Sequence, residues 1–258
     1  MNVAVEAVRE AARKVERYDR QRGDLRIRAK GPGDLVTSAD FASEKAVIEV
    51  LRKSYPKAGI LSEEAGQDGV EDDCWVLDPV DGTTNFVHGF PNYVISLAWC
   101  RRGRPDLGVV YDISRNDLYR AERGGGAYCN DRRLRGSKTE TLADALLGVT
   151  GGVRPEDWPL VAAAARASSG VRRVGSGALD FALAAAGSLD ACFGHGLQYW
   201  DCAAGMLLVE EAGGVFHADA KARAGAPVPF GSRLGLCFYG GHAVVDGVLK
   251  LARRTGGE

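Results

Sequence analysis

Residues 78–85, Asp-Pro-Val-Asp-Gly-Thr-Thr-Asn, bring together the types most able to do chemistry in this chain. Asp78 and Asp81 stand three positions apart, and two carboxylates that close repel unless a cation lies between them. Oxygen donors of this kind suit a hard ion such as Mg²⁺. Gly82 lets backbone approach a ligand, and the amides of Gly82, Thr83 and Thr84 can face an anion if a helix begins there. A cation held by carboxylates beside an anion held by amides is the chemistry of phosphoester hydrolysis. The same residues also make an ordinary turn, since Asp-Pro and Asp-Gly are common turn pairs. The motif alone leaves both readings open.

The flanking elements must position this run. Residues 74–77 are a short apolar segment that predicts a buried strand. Asp78 then stands at a strand end, kept extended by Pro79. Residues 59–61 predict another strand, ending at Ser62-Glu63-Glu64. Adjacent glutamates usually mark a solvated loop, yet these follow a strand as Asp78 does, so both sets can meet at one sheet edge. Thr37 or Ser38 is the expected N-cap of a helix reaching about Ser54, with Phe41, Val47, Ile48 and Leu51 as its core face. Asp40 falls in its first turn, where favouring the helix dipole is the ordinary reading of a lone Asp.

Elsewhere the pattern supplies a frame. Val8, Ala11, Ala12 and Val15 recur at helical spacing and predict a helix over 2–20, ended by Gly23. Residues 30–33 read as a flexible turn and 68–73 as an exposed acidic loop. Strands are expected at 93–100, 107–113 and 118–122, joined by turns. The triple glycine at 124–126 lacks the lysine and the strand-to-helix context of a P-loop and reads as a bulge or turn. From about residue 145 strands and helices alternate. Gly175-Ser176-Gly177 opens one helix, and Trp200-Asp201 opens another that Gly213-Gly214 stops. Paired strands followed by alternation predict two layered subdomains, 1–143 and 144–258.

Composition narrows the function. The 258 residues are 45% hydrophobic and 26% charged, with a net charge of −1. That balance carries no electrostatic footprint of a nucleic-acid or anionic-membrane binder. No apolar run reaches transmembrane length, and Glu6, Arg9 and Glu10 stand where a signal peptide would be apolar; a cytoplasmic protein is expected. Six cysteines without a CxxC pair argue against zinc and against a disulfide scaffold, and most read as buried small hydrophobes. Four histidines without HxxxH spacing argue against a His-ligated metal.

Four separated pieces complete the reading: residues 34–40 (Asp-Leu-Val-Thr-Ser-Ala-Asp), Glu63-Glu64, residues 78–86 and residues 200–205 (Trp-Asp-Cys-Ala-Ala-Gly). In this order and spacing the chain resembles the inositol monophosphatase family of Mg²⁺-dependent, lithium-sensitive phosphatases, over nearly its whole length. The resemblance implies an α+β fold, a layered α-β-α-β-α sandwich of two tightly joined subdomains with the site between them. It implies two or three Mg²⁺ ions. Glu63, Asp78 and the carbonyl of Val80 match ligands of the first, Asp78, Asp81 and Asp201 ligands of the second, and Glu63 also helps hold a third. Asp40 and Thr83 match the pair that orients and deprotonates the attacking water, with Glu63 counted among the catalytic residues. Asp81, Gly82, Thr83, Ser176 and Gly177 match phosphate and substrate contacts, and Lys30 lies in the family's mobile loop. A homodimer acting on a small phosphate ester follows by resemblance, with no nucleic acid and no membrane among its partners.

One position departs from the family. Seven residues before Asp201, where inositol monophosphatases usually carry a glutamate facing ring hydroxyls, stands Gly194. Gly194 and His195 therefore become candidate substrate contacts, and weak preference for inositol 1-phosphate is expected. Histidinol phosphate, fructose 1,6-bisphosphate or a 3′-phosphoadenosine nucleotide are alternative substrates, and an added regulatory binding role is a further alternative.

Overall fold

A computed structural model describes residues 1–256 apart from 32–33, 70–72, 153, 220–227 and 229–230. Helix α1 (Asn2–Arg20) buries Ala4, Ala7, Val8, Ala11, Ala12 and Val15 along one stripe. It stops at Arg20, and Gly23 lies inside the following 3₁₀ turn instead of ending the helix. Strands β1 (Ile27–Gly31) and β2 (Asp34–Thr37) pair antiparallel. Lys30 and Gly31 are thus strand residues, not part of a free turn, because the ladder takes up their backbone; Pro32 and Gly33 lie outside the described residues.

Helix α2 (Ser38–Ser54) begins with a reciprocal cap: the Thr37 hydroxyl accepts the Ala39 N–H at 3.1 Å, while the Thr37 N–H donates to Asp40 at 2.9 Å. Its inward line is Asp40, Ser43, Glu44, Val47 and Leu51, all buried. Phe41, expected in the core, is 47% exposed. It is one residue, about 100°, round the helix from Asp40, and the helix turns its polar line inward at this end.

The first sheet has eight strands: β3 (Gly59–Ser62), β4 (Gly66–Asp68), β5 (Asp73–Asp81), β6 (Val94–Arg101), β7 (Arg104–Asp112), β8 (Asp117–Glu122), β9 (Gly126–Cys129) and β10 (Arg132–Arg133). Their spatial order is β10-β9-β8-β7-β6-β5-β3-β4, and only β3 and β5 run parallel. A short helix, α3 (Thr83–His88), follows β5 directly. Asp68 lies in a strand and is exposed; residues 70–72 of the expected acidic loop lie outside the described residues.

The rest of the chain alternates: β11 (Leu146–Gly151), α4 (Trp158–Ala167), β12 (Gly170–Arg172), α5 (Gly177–Ala186), β13 (Ala191–His195), α6 (Tyr199–Glu211), β14 (Val215–His217), β15 (Cys237–Gly240) and α7 (His242–Thr255). The second sheet has the order β12-β11-β13-β15-β14, with β11 parallel to both its neighbours.

Three hydrophobic clusters stack these layers. Helices α1 and α2 cover one face of the first sheet around Val8, Val47, Leu77 and Leu97. Helices α5 and α6 fill the space between the sheets, joining Ala98 and Val110 to Cys192 and Tyr239. Helices α4 and α7 cover the outer face of the second sheet around Leu160, Phe193 and Val248. The result is an α-β-α-β-α sandwich. Close approach in the middle layer demands small residues: a Cβ at Gly205 would lie 2.3 Å from that of Phe181, and one at Gly108 2.8 Å from the Ala204 carbonyl. All six cysteines are free and buried. No helix among the described residues is long and apolar enough to cross a membrane.

Candidate active site

A β-bulge aims the central acids. In the β5–β6 ladder Asp78 faces Ser96 and Asp81 faces Val94, so three steps on one strand meet two on the other. Asp78, Asp81 and Asp201 each offer an oxygen within 4.8 Å of the others. Each carboxylate is also held from behind. Asp78 Oδ1 accepts the Val80 N–H at 3.0 Å. Asp81 Oδ2 accepts the Ser176 hydroxyl and the Ala178 N–H, both at 2.6 Å, at the start of α5. Asp201 Oδ2 accepts the Gln198 N–H at 2.8 Å in the cap of α6. At least one oxygen of each acid is thus fixed by the fold.

The charges carry a cost. Burial raises the Asp78 carboxyl well above the usual range, and the neighbouring Glu63, Asp81 and Asp201 push it further. Burial and then Asp81 do the same to Asp201. Burial also raises Asp81, against the bonds from Ser176 and α5 that hold it. Buried Asp78 with half-buried Asp81 and Asp201 form a crowded donor set that a hard divalent cation relieves. The residues fit a metal, and their all-oxygen chemistry fits Mg²⁺.

Beside them, Thr83 Oγ1 lies 2.9 Å from Asp40 Oδ1 and 2.9 Å from the Val80 carbonyl. Its single proton serves one acceptor at a time. Asp40 Oδ2 is already taken by the Thr37 N–H and hydroxyl, so Oδ1 is the oxygen free to act. Burial raises the Asp40 carboxyl. Gly82 caps α3 at φ +97°, and a Cβ there would sit 2.7 Å from the Asn92 carbonyl, so no other residue fits this bend.

Glu63 and Glu64 lie at the end of β3, on the same edge as Asp78, and both meet Lys30: its Nζ is 2.9 Å from Glu63 and pairs with Glu64 as well. Burial works against the ammonium, but the bonds to Glu64 and Glu63 outweigh it and raise the lysine's pKa. Glu63 in turn is raised by burial and by Asp40 and Asp81, despite Lys30.

Sequence reasoning missed the supports beneath these groups. The Ser43 hydroxyl donates to the Pro79 carbonyl at 2.6 Å and so fixes the peptide before Val80. Buried Glu44 accepts the Ala65 N–H at 2.9 Å and the Ser62 hydroxyl, anchoring both ends of the Glu63-Glu64 turn. The available signal was their spacing: three and four residues after Asp40, they share its helical face.

The opposite wall differs. Ser176 caps α5, accepting the Leu179 N–H at 3.3 Å while its hydroxyl serves Asp81. A Cβ at Gly177 would meet Leu197 at 2.6 Å and Asp201 at 3.6 Å. Gly194 pairs with Thr150 across parallel strands, and a Cβ there would lie 1.9 Å from the Thr150 carbonyl. His195, a candidate substrate contact, is buried. Its Nδ1 lies 2.9 Å from Asp157, and its Nε2 2.7 Å from Arg154. Burial lowers its pKa, Asp157 opposes that and Arg154 adds to it; a neutral ring with its proton on Nδ1 satisfies both partners.

Fold and site together define a class: phosphatases that gather acids at a sheet edge to hold metal and set a threonine–aspartate pair beside it. The chain belongs to the inositol monophosphatase family, whose sequence profile matches residues 1–237, and it is a phosphoric monoester hydrolase. It is 43% identical over 223 residues to the Nus factor SuhB of Pasteurella multocida, covering 83% of each chain. It is 42% identical over 225 residues to an inositol-1-monophosphatase of Mesorhizobium japonicum, again over 83% of each. The crystal structure of the extragenic suppressor protein suhB from Bartonella henselae superposes with a TM-score of 0.89 at 33% identity, over 98% of both chains.

Proposed function

We propose that this phosphatase is Mg²⁺-dependent and hydrolyses a small phosphorylated alcohol by direct attack of water. The observation that carries the reading is the pairing of three backbone-anchored carboxylates with the Thr83–Asp40 contact at 2.9 Å. Glu63, Asp78, the Val80 carbonyl, Asp81 and Asp201 would hold two or three ions. Bound Mg²⁺ supplies charge neutralisation at the phosphoryl group and lowers the pKa of water. The chain's own residues do the rest. Thr83 accepts a proton from the attacking water as its own passes to Asp40 Oδ1, so the proton is handed inward and the hydroxyl is restored. The raised affinity of Asp40 for protons, set by burial, suits it to receive one. The amides at the start of α3 face the phosphate, and Asp81 lines it from the end of β5 and Ser176 from the cap of α5. No cysteine or histidine nucleophile enters.

We place the roles of Gly82, Gly177, Gly194 and His195 on the substrate side. The two ring nitrogens of His195 are engaged by Asp157 and Arg154, so its contribution there is to hold that wall. The division at 143/144, a homodimer and a cytoplasmic location remain part of this reading. A partner-binding role beside hydrolysis is a second reading, favoured because a relative at 43% identity is named a Nus factor. The test of the main reading is phosphate release from a panel of esters with Mg²⁺, with chelator, and with Li⁺. Release that needs Mg²⁺ and falls with millimolar Li⁺ is expected; release indifferent to chelator would sink the metal reading.

A further inference from the structure

Beside Asp201, where a Cβ at Gly177 would come within 3.6 Å, the chain is rich in glycine. Gly151 ends β11 and Gly152 follows it, Gly194 and Gly196 flank His195, and Gly177 opens α5. A Cβ at Gly151 would lie 2.3 Å from the His195 carbonyl, and one at Gly194 1.9 Å from that of Thr150. These positions cannot supply side chains to an alcohol seated against them. Arg173 comes to this wall from the loop between β12 and α5. One guanidinium nitrogen donates to the Gly151 carbonyl at 3.1 Å. The side chain is exposed, and among the described residues no carboxylate lies within 4.0 Å of it. Its charge is nevertheless felt at buried Asp180, one helical turn beyond the Ser176 cap that grips Asp81. Arg173 therefore stands near the site with most of its five N–H donors uncommitted. Arg154, on the same wall, is in contrast neutralised by Glu156 at 3.2 Å and Asp157 at 3.5 Å.

We propose that Arg173 is the specificity-determining cation of the alcohol subsite, and that it selects phosphate esters whose alcohol carries a second anionic group. Resting on the phosphatase reading, this names the class of substrate that reading leaves open. A neutral polyol offers a guanidinium only ordinary hydrogen bonds, whereas a second phosphate or a carboxylate offers a charge-assisted, two-point contact. Positions 151, 152, 194 and 196, all glycine, contribute no acid side chain to repel that group. The phosphoryl transfer is unchanged: one P–O bond to the alcohol breaks, one to water forms, and the second anion stays on the product.

The experiment compares kcat/KM with Mg²⁺ for fructose 1,6-bisphosphate, 3-phosphoglycerate, glycerol 2-phosphate and inositol 1-phosphate, in wild type, Arg173→Gln and Arg173→Lys. The first two esters separate a second phosphate from a carboxylate. Wild type is expected to favour at least one of them over the two neutral alcohols. Arg173→Gln is expected to lower that preference about ten- to a hundredfold, chiefly through KM, the range of a charged hydrogen bond. Arg173→Lys should restore part of it, because the charge returns without the fork. A preference ratio untouched by Arg173→Gln overturns the proposal, and so does an equal fall on all four esters, which would make Arg173 merely a brace for Gly151. Failure of wild type to release phosphate from any of the four strikes the phosphatase reading itself, and the proposal with it.

Discussion

On the β5 side of the site, Asp78, Asp81 and Asp201 each have an oxygen tied to a backbone amide and together offer oxygens within 4.8 Å of one another. On the β11–β13 side, Gly151 and Gly194 present no side chain, and a Cβ at either would strike a carbonyl within 2.3 Å. The first wall stores charge that something must neutralise, and it holds that charge in place from three different elements. The second wall is shaped by what it omits. In the proposed function, hydrolysis as such depends on the first. In the proposals above, the choice of alcohol depends on the second, through Arg173. A family member can therefore change substrates by altering the glycine wall while the acid wall is left alone.

The largest effect that would break this contrast lies at Asp81. Asp81→Asn keeps the acceptor for Ser176 and Ala178 but removes the charge. Loss of several kcal/mol of phosphoryl stabilisation is expected, roughly a thousandfold in kcat/KM, with the fold intact. Steady-state assays and a thermal melt of the chelated protein check it. Near-normal turnover would remove Asp81 from the metal wall.

Thr83 comes next. Thr83→Ala removes the hydroxyl between the water and Asp40, and a drop of about a hundred- to a thousandfold in kcat is expected, within the range for proton transfer. Thr83→Ser keeps the hydroxyl and should recover most of the rate. Equal activity of the alanine and serine variants would show that the 2.9 Å contact with Asp40 takes no part.

These two walls were unequally legible in the sequence. The acid wall announces itself because charged residues at a strand end, Asp78 and Asp81, have few innocent explanations once Asp40, Glu63 and Asp201 join them. The strands at β6, β7 and β8 and the helices α1 and α2 follow from periodicity alone. What stayed hidden has a common cause: it depends on which way a helix is rotated or how closely two backbones approach. Phe41 was expected in the core because apolar residues usually are, yet that end of α2 turns Asp40, Ser43 and Glu44 inward. The departure at Gly194 was visible as a missing glutamate, but not that the neighbouring strand closes over it. That closure also changes the experiment that suits it: Gly194→Glu would displace the Thr150 carbonyl before it contacted any substrate.

Acidity sharpens the comparison without mutation. Asp78, Asp81 and Asp201 all hold protons more tightly in the fold than in the unfolded chain, first through burial. Groups with raised folded pKa values stabilise fully below the unfolded value near 4, and that contribution is lost as pH rises through the folded values. The chelated protein should therefore lose Tm as pH rises above about 4, and Mg²⁺ should flatten the slope because a cation replaces the protons. Calorimetry across that range decides it. A chelated protein whose Tm climbs over the same interval would contradict the crowding of the acid wall.

The smallest effect concerns a residue that touches neither substrate nor ion. Ser43 donates to the Pro79 carbonyl at 2.6 Å from inside α2, with both groups buried. In Ser43→Ala that carbonyl loses its partner away from water, which costs about 1–3 kcal/mol, or roughly 2–10 °C in Tm for a chain of this size. A generic core defect would stop there. The Pro79 peptide, however, leads directly into Val80, whose carbonyl accepts from Thr83 and is proposed to face an ion. Freeing it should loosen the hold on Mg²⁺, so the concentration needed for half-maximal activity should rise several-fold while kcat at saturating Mg²⁺ stays within about threefold of wild type, a shift of under 1 kcal/mol. Titrating Mg²⁺ at a temperature well below both melting points separates the two accounts. A variant that melts early but binds Mg²⁺ as wild type does would confine Ser43 to the core and leave the bulge to be held by β6 alone.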